Sequence, residues 1–158
     1  MSENQKKIWI TGASSGIGKA LAEKFALEGW RVAVSARRKE ILDEMADNKN
    51  ISSYPLDVTN QEQINDVFSK IISEFGNLDL CVFSSGTYDP KLEQGINIQQ
   101  NKFVMETNFF GVLHCIKSVE KYFKDRRDGH ISVVSSIAAY RGLPNSSGYG
   151  PSKAALTN

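Results

Sequence analysis

Two residues near the carboxyl end of the chain, Tyr149 and Lys153, have the spacing and chemistry of a proton-transfer pair. Residues four apart share one face of a helix. Pro151, between them, fits only a first helical turn, where its missing N–H costs no hydrogen bond. Tyrosine ionises at about pH 10, and a neighbouring ammonium would make Tyr149 a better proton donor and acceptor near neutral pH. Ser136 ends a predicted strand 13 residues upstream and can face the same crevice.

A glycine-rich turn, Thr11–Gly18 (TGASSGIG), lies between a predicted strand and a predicted helix. The first glycine permits a tight turn, the second lets backbone approach a pyrophosphate, and the third lets the helix pack near the sheet. The helix N-terminus then offers free N–H groups to phosphates. No Gly-Lys-Ser/Thr follows, which disfavours an ATP-hydrolysing P-loop. The residues expected to contact a dinucleotide here are Gly12, Ser14, Ser15, Gly16, Ile17 and Gly18.

The residues at the end of the second predicted strand indicate which dinucleotide binds. NAD-binding units place a carboxylate there to accept a hydrogen bond from the ribose 2′-hydroxyl. This sequence has Arg37 and Arg38 and no carboxylate in the segment 35–38. Because guanidinium groups pair well with phosphate, we expect NADP(H) to be preferred over NAD(H).

Strand-like apolar runs alternate with segments of helical period, which predicts right-handed βαβ units and a doubly wound parallel sheet with helices on both faces. We expect five strands in the order 3-2-1-4-5. A capping box at Thr59 and Glu62 predicts the start of the third helix. The segment Tyr88–Gln100 is predicted to be a surface loop. The predicted strands are Lys7–Ile10, Arg31–Ser35, Ile51–Leu56, Leu80–Ser84 and His130–Ser135, and the longest predicted helix is Lys102–Lys124.

Composition excludes several classes of protein. The chain has 158 residues, 41% of them hydrophobic and 23% charged, which is typical of a folded domain. A net charge of +1 gives no basic excess for nucleic acid or for a membrane surface. Cys81 and Cys115 lack CxxC spacing, and we interpret them as reduced, packed thiols of a cytoplasmic protein. The two histidines have no partners at metal-ligand spacing, so no metal site is predicted.

The chain resembles the short-chain dehydrogenase/reductase family over its whole length. The matching elements occur in the family's order: the glycine turn, Asp57-Val58 after the third strand, Asn108 in the long helix, Ser136, and Tyr149 with Lys153. The resemblance implies a catalytic tetrad of Asn108, Ser136, Tyr149 and Lys153. It also implies that Asp57 fixes the adenine amino group with Val58 beside it, and that Asn108 positions a water in the proton relay.

Two departures from the family pattern modify that expectation. The segment Phe83-Ser84-Ser85-Gly86 replaces the usual Asn-Asn-Ala-Gly, although Gly86 still lets backbone approach the cofactor. The chain also stops five residues after Lys153, where family members continue. We therefore expect residues 1–158 to be one dinucleotide-binding domain truncated at its C-terminus, inactive as a fragment.

The expected function is transfer of a hydride between NADP(H) and a small-molecule carbonyl or alcohol, in a protein that forms a homo-oligomer at full length. Two alternatives stay open at this point. One is a regulatory or inactive protein that holds NADP without turnover, and the other is a sugar-nucleotide epimerase or dehydratase with a related Tyr-Lys pair.

Overall fold

The computed structural model describes residues 5–158 and contains one five-stranded parallel sheet in the order β3-β2-β1-β4-β5. The predicted fold class and strand order are confirmed. Thr11 at the end of β1 is in register with Ser35 of β2 and Phe83 of β4, so the carboxyl ends of the central strands meet at one edge. The strands are β1 Lys7–Thr11, β2 Arg31–Ser35, β3 Ile51–Ser53, β4 Leu80–Phe83 and β5 His130–Val133.

Helices cover both faces of the sheet. The helices are α1 Gly16–Leu27, α2 Lys39–Met45, α3 Gln61–Phe75, α4 Ile98–Met105, α5 Gly111–Arg126 and α6 Tyr149–Thr157; a π-helical turn spans Glu106–Phe110 and a 3₁₀ turn spans Ile137–Ala139. No helix within residues 5–158 is long and apolar enough to cross a bilayer.

The central strand β1 divides the core into two layers. Ile8 and Ile10 pack into the cluster that includes apolar residues of α1 and α2, whereas Trp9 packs into the cluster of α3 and α5. Successive strand residues point to opposite faces, and because both faces are covered, all three side chains are fully buried. Burial on both faces explains the continuous apolar runs of the parallel strands.

A helix cap and a strand end differ from the sequence prediction. The N-cap of α3 is Asn60, whose side chain accepts from the Gln63 N–H, and not Thr59. β3 ends at Ser53 rather than Leu56, since Pro55 has a fixed φ, although the Leu56 N–H still donates to the Ala36 carbonyl at 3.1 Å.

The long helix starts at Ile98 rather than Lys102. Asn97 caps it by accepting from the Gln100 N–H at 3.1 Å. A π-helical turn, which the sequence periodicity did not predict, separates α4 from α5.

Candidate active site

The turn after β1 contains three glycines, each required for a different structural reason. Gly12 has φ +70°, and a Cβ there would lie 2.7 Å from the backbone of Ser84 and Ser85. A Cβ on Gly18 would lie 2.5 Å from the Gly12 carbonyl oxygen, so only glycine lets α1 pack this closely. Gly16 has φ +54° and open space beside it, so backbone at this point is accessible to a ligand.

The start of α1 offers an anion site. Ser15 is the N-cap but makes no side-chain capping hydrogen bond within the described chain, which leaves first-turn N–H groups available. Arg38 donates from Nε and Nη2 to Ser14 Oγ at 3.1 and 2.9 Å, and from Nη2 to Ser15 Oγ at 2.9 Å. A guanidinium therefore lies over the helix N-terminus, where both the charge and the N–H groups favour phosphate.

A cleft of about 400 Å³ runs along the carboxyl ends of the strands. Most of the predicted site residues line it: Gly12, Ser14, Ser15, Gly16, Ile17, Arg37, Arg38, Asp57, Val58, Gly86, Tyr149 and Lys153. Three others are not among its lining residues: Gly18 supports the turn from beneath, Asn108 is fully buried, and Ser136 is half-buried at the start of the 3₁₀ turn. The cleft thus joins the glycine turn to the Tyr-Lys pair.

One wall of the cleft carries Asp57 and Val58. The Asp57 carboxylate is held by Thr59, whose N–H and Oγ1 donate to Oδ1 at 2.9 and 2.8 Å. Thr107, on the π-helical turn, also lines the cleft, and its buried Oγ1 has no hydrogen-bond partner among residues 5–158. Since buried hydroxyls are normally paired, this group fits a polar ligand in the cleft, and a dinucleotide is such a ligand.

Tyr149 and Lys153 lie on successive turns of α6 at the other end of the cleft. Lys153 is only 4% exposed, and its Nζ donates to the Val134 carbonyl at 2.8 Å. Burial lowers the pKa of Lys153 from its ordinary value, because desolvation disfavours the charged form. The Nζ atom lies 5.9 Å from the centroid of the Tyr149 ring.

The tyrosine ring has an aromatic neighbour that sequence reasoning missed. Tyr88, on the loop after β4, lies 4.5 Å from the Tyr149 ring, centroid to centroid, at an angle of 32°. Its hydroxyl donates to the Asn145 carbonyl at 3.2 Å, so it links the loop after β4 to the loop before α6. Tyr88 lines the cleft beside Tyr149 and forms part of its wall.

Asn108 is fully buried within the π-helical turn. Its Oδ1 accepts from the Thr87 N–H at 2.7 Å, and its Nδ2 donates to the Thr87 carbonyl at 2.9 Å and to Ser152 Oγ at 3.2 Å. A Cβ on Gly86 would lie 3.5 Å from Oδ1 and 3.7 Å from the Lys153 Nζ, so both polar groups border the space that this glycine leaves.

Ser136 follows β5 and caps the short 3₁₀ turn. Its Oγ accepts from the Ala138 N–H at 3.1 Å. A hydroxyl has one donor and two acceptor sites. This contact uses one acceptor site, so the O–H hydrogen can be donated to another group.

The prediction of a surface loop over Tyr88–Gln100 is wrong for Ile98–Gln100, which belong to α4, and for Glu93, which is buried. Glu93 is 1% exposed, and its Oε2 accepts from the N–H groups of Gly148 and Tyr149 at 2.8 and 2.9 Å. A lone glutamate between turns carries no sequence signal of burial. Among residues 5–158, no group of three or more metal-ligating side chains comes together.

Known proteins share both the sequence pattern and the fold. The model of the family described as short chain dehydrogenase matches residues 6–158. The chain is 30% identical over 154 residues to an uncharacterised oxidoreductase of Staphylococcus epidermidis, covering 96% of this chain and 67% of that protein. It is 35% identical over 158 residues to 11-beta-hydroxysteroid dehydrogenase 1A of Arabidopsis thaliana, covering 96% of this chain and 45% of that protein.

Among solved structures, ElxO with NADP bound superposes with a TM-score of 0.88 at 31% identity, covering 96% of this chain and 64% of ElxO. This chain spans between about half and two thirds of the length of these relatives. With the family model matching nearly every described residue, the chain belongs to the short-chain dehydrogenase family of oxidoreductases.

Proposed function

We propose that this protein is an NADP(H)-dependent carbonyl reductase or alcohol dehydrogenase in which Tyr149 transfers the proton. The observation that carries the proposal is the shared cleft: the glycine turn, the arginines after β2, and the Tyr149–Lys153 pair all line it. ElxO and the actinorhodin polyketide ketoreductase, whose structures hold NADP and NADPH, are similar to this chain and support the choice of cofactor.

Different residues of the cleft bind different parts of the cofactor. The N-terminus of α1 and the Ser14–Arg38 contact take the phosphates, and Arg37 and Arg38 take the 2′-phosphate. Asp57 and Val58 hold the adenine. Bound NADPH supplies the hydride for the carbonyl carbon, while the protein supplies orientation and electrostatics.

Proton transfer falls to residues at the far end of the cleft. Tyr149 donates its phenolic proton to the substrate oxygen, and Ser136 donates a hydrogen bond to the same oxygen. The Lys153 ammonium, held by the Val134 carbonyl, hydrogen-bonds the nicotinamide ribose and favours the phenolate left on Tyr149. Asn108 orders the Thr87 backbone, contacts Ser152 of α6, and positions a water in the proton relay.

The proposal is tested by Tyr149→Phe in the expressed gene product, with NADPH and a panel of aldehydes and ketones. Loss of the phenolic proton should cut kcat by about two or more decades. Binding of NADPH, followed by its fluorescence, should change by no more than about threefold. Tyr140→Phe is the matched control, because Tyr140 is 81% exposed and does not line the cleft.

Three results would contradict the proposal. Wild-type turnover in Tyr149→Phe would remove the tyrosine from the reaction. NADPH binding without oxidation by any carbonyl would indicate a non-catalytic binder. Isomerised or dehydrated sugar nucleotides formed without net NADPH consumption would indicate an epimerase or dehydratase.

A further inference from the structure

Glu93 is a buried carboxylate whose partners belong to the helix that carries the Tyr-Lys pair. It lies between β4 and α4, 55 residues before Gly148 in the sequence. Its Oε2 accepts from the N–H groups of Gly148 and Tyr149, and its Oε1 is buried with no partner among residues 5–158. Because buried polar groups are nearly always paired, the two N–H contacts of Oε2 are the interactions that account for this carboxylate in the interior.

The N-terminus of α6 shows what Glu93 provides. The first N–H groups of a helix have no partner inside the helix. Gly148 is the N-cap and has no side chain with which to cap them. Glu93 accepts two of these N–H groups, Ser146 Oγ accepts that of Gly150 at 2.8 Å, and Pro151 has none. The set of donors is complete only with Glu93.

The backbone that Glu93 holds is that of Tyr149 itself. The carboxylate also lies at the positive end of the α6 dipole, where negative charge is favourable. A contact on the Tyr149 N–H fixes the first residue of the helix, whose side chain lines the cleft and packs against the Tyr88 ring. Reaction rates are sensitive to displacements of about 1 Å at such a group.

We propose that Glu93 is the positioning residue of Tyr149, acting through the helix backbone and not on the substrate. This inference rests on the proposed function, in which Tyr149 transfers the proton. The loop after β4 thereby sets the tyrosine from a distant point in the sequence.

The test compares Glu93→Gln, Glu93→Asp and Glu93→Ala in the expressed gene product. Glutamine keeps the reach of the acceptor oxygen without the charge, whereas aspartate keeps the charge and loses one methylene of reach. We expect Glu93→Gln to keep kcat within about threefold of wild type, and the other two to lose about tenfold or more. The Kd for NADPH should change by less than about threefold in all three variants.

Ser147→Ala is the matched control. Ser147 Oγ links the same segments because it lies within hydrogen-bond distance of the Gly95 carbonyl at 3.1 Å and of Asn101 Oδ1 at 3.0 Å, but it contacts no N–H of α6. Removing it should leave kcat unchanged if only the helix cap matters.

Amide hydrogen exchange at Gly148 and Tyr149 tests their contact with Glu93 and does not require the protein to turn over a substrate. Exchange should be about tenfold or more faster in Glu93→Ala and unchanged in Ser147→Ala. If wild type reduces no carbonyl, the proposed function fails, while the exchange rates still decide whether Glu93 holds this backbone.

Three outcomes would overturn the proposal: unchanged exchange in Glu93→Ala, faster exchange with wild-type kcat, or higher activity in Glu93→Asp than in Glu93→Gln. If Glu93→Ala does not fold, the ranking of the glutamine and aspartate variants decides.

Discussion

At the scale of single residues, the two arginines that follow β2 differ in their contacts. Arg38 is anchored on Ser14 and Ser15, so it orders the loop before α1 as well as adding charge. A guanidinium has five N–H donors, so Arg38 retains donors for a phosphate beyond those it gives to the serines. Arg37 lines the same cleft.

Replacing Arg38 by alanine should therefore weaken NADPH binding more than NADH binding. A charge-assisted contact is worth about 1.5–3 kcal/mol, which is roughly one to two decades in affinity. Arg37→Ala should reduce NADPH affinity in the same direction. Fluorescence titration of both variants with both cofactors measures the effect.

The control for a lost positive charge is Lys121→Ala. Lys121 lies in the second half of α5 and pairs with Asp125 on its exposed face. Equal affinities of the wild type for NADPH and NADH, or unchanged NADPH binding in both arginine variants, would refute a 2′-phosphate site here.

At the scale of elements, the junction of β1 and α1 needs glycine for two different physical reasons. Gly18 is required by close packing, because a Cβ would lie 2.5 Å from a backbone oxygen. Gly16 has a positive φ and free space, so a side chain there is strained without colliding.

Gly16→Ala should therefore combine a backbone cost with a loss of cofactor binding. Holding alanine at positive φ costs about 1–2 kcal/mol, and the added methyl group would occupy the open space next to the proposed phosphate site. We expect a lower Tm and weaker NADPH binding, measured by calorimetry and by titration.

Gly76→Ala is the control that separates the loss of stability from the loss of NADPH binding. Gly76 ends α3 with φ +80° and also has open space around it, but it does not line the cleft. It should lose similar stability and keep wild-type NADPH binding. Unchanged NADPH affinity in Gly16→Ala would mean that the phosphates lie elsewhere.

The π-helical turn is the other element that shapes the site. It widens the long helix at Thr107 and Asn108, both buried, and such turns are frequent at functional sites. Asn108 orders the Thr87 backbone. Thr107 lines the cleft, and its buried Oγ1 has no hydrogen-bond partner among residues 5–158.

At the scale of the whole molecule, the layers on the Trp9 face of the sheet enclose both cysteines. Cys81 on β4 and Cys115 on α5 are fully buried in the same cluster. Burial raises the pKa of both thiols, that of Cys115 to about 12, because a thiolate is disfavoured away from water.

Stability should fall as the pH rises above about 8.5, the ordinary pKa of an unfolded thiol. Between that pH and the folded pKa, the unfolded state releases protons that the folded state retains, which favours unfolding. Each thiol should cost on the order of 2 kcal/mol between pH 8 and pH 10.

Urea unfolding of the wild type and of Cys115→Ala at both pH values measures this cost. Burial and the Glu74 carboxylate also raise the pKa of Tyr54, so the variant should keep part of the slope. An identical pH dependence in the two proteins would show that Cys115 does not remain protonated in the fold.

The sequence by itself determined the features whose signals are local. The alternation of strand and helix patterns predicted the parallel sheet, and the glycine turn together with Tyr149 and Lys153 predicted which end of it forms the cleft. These patterns can be recognised in the sequence because each one lies within a single element or a single connection.

Tertiary structure alone decided which distant groups meet. Glu93 reaches Tyr149 across 56 residues, and Asn108 reaches Ser152 across 44. Neither contact has a sequence signature, because hydrogen bonds between distant elements depend on how the sheet brings those elements together. The same reason explains why Glu93, in a segment predicted to be a surface loop, lies buried at the start of the helix that carries Tyr149.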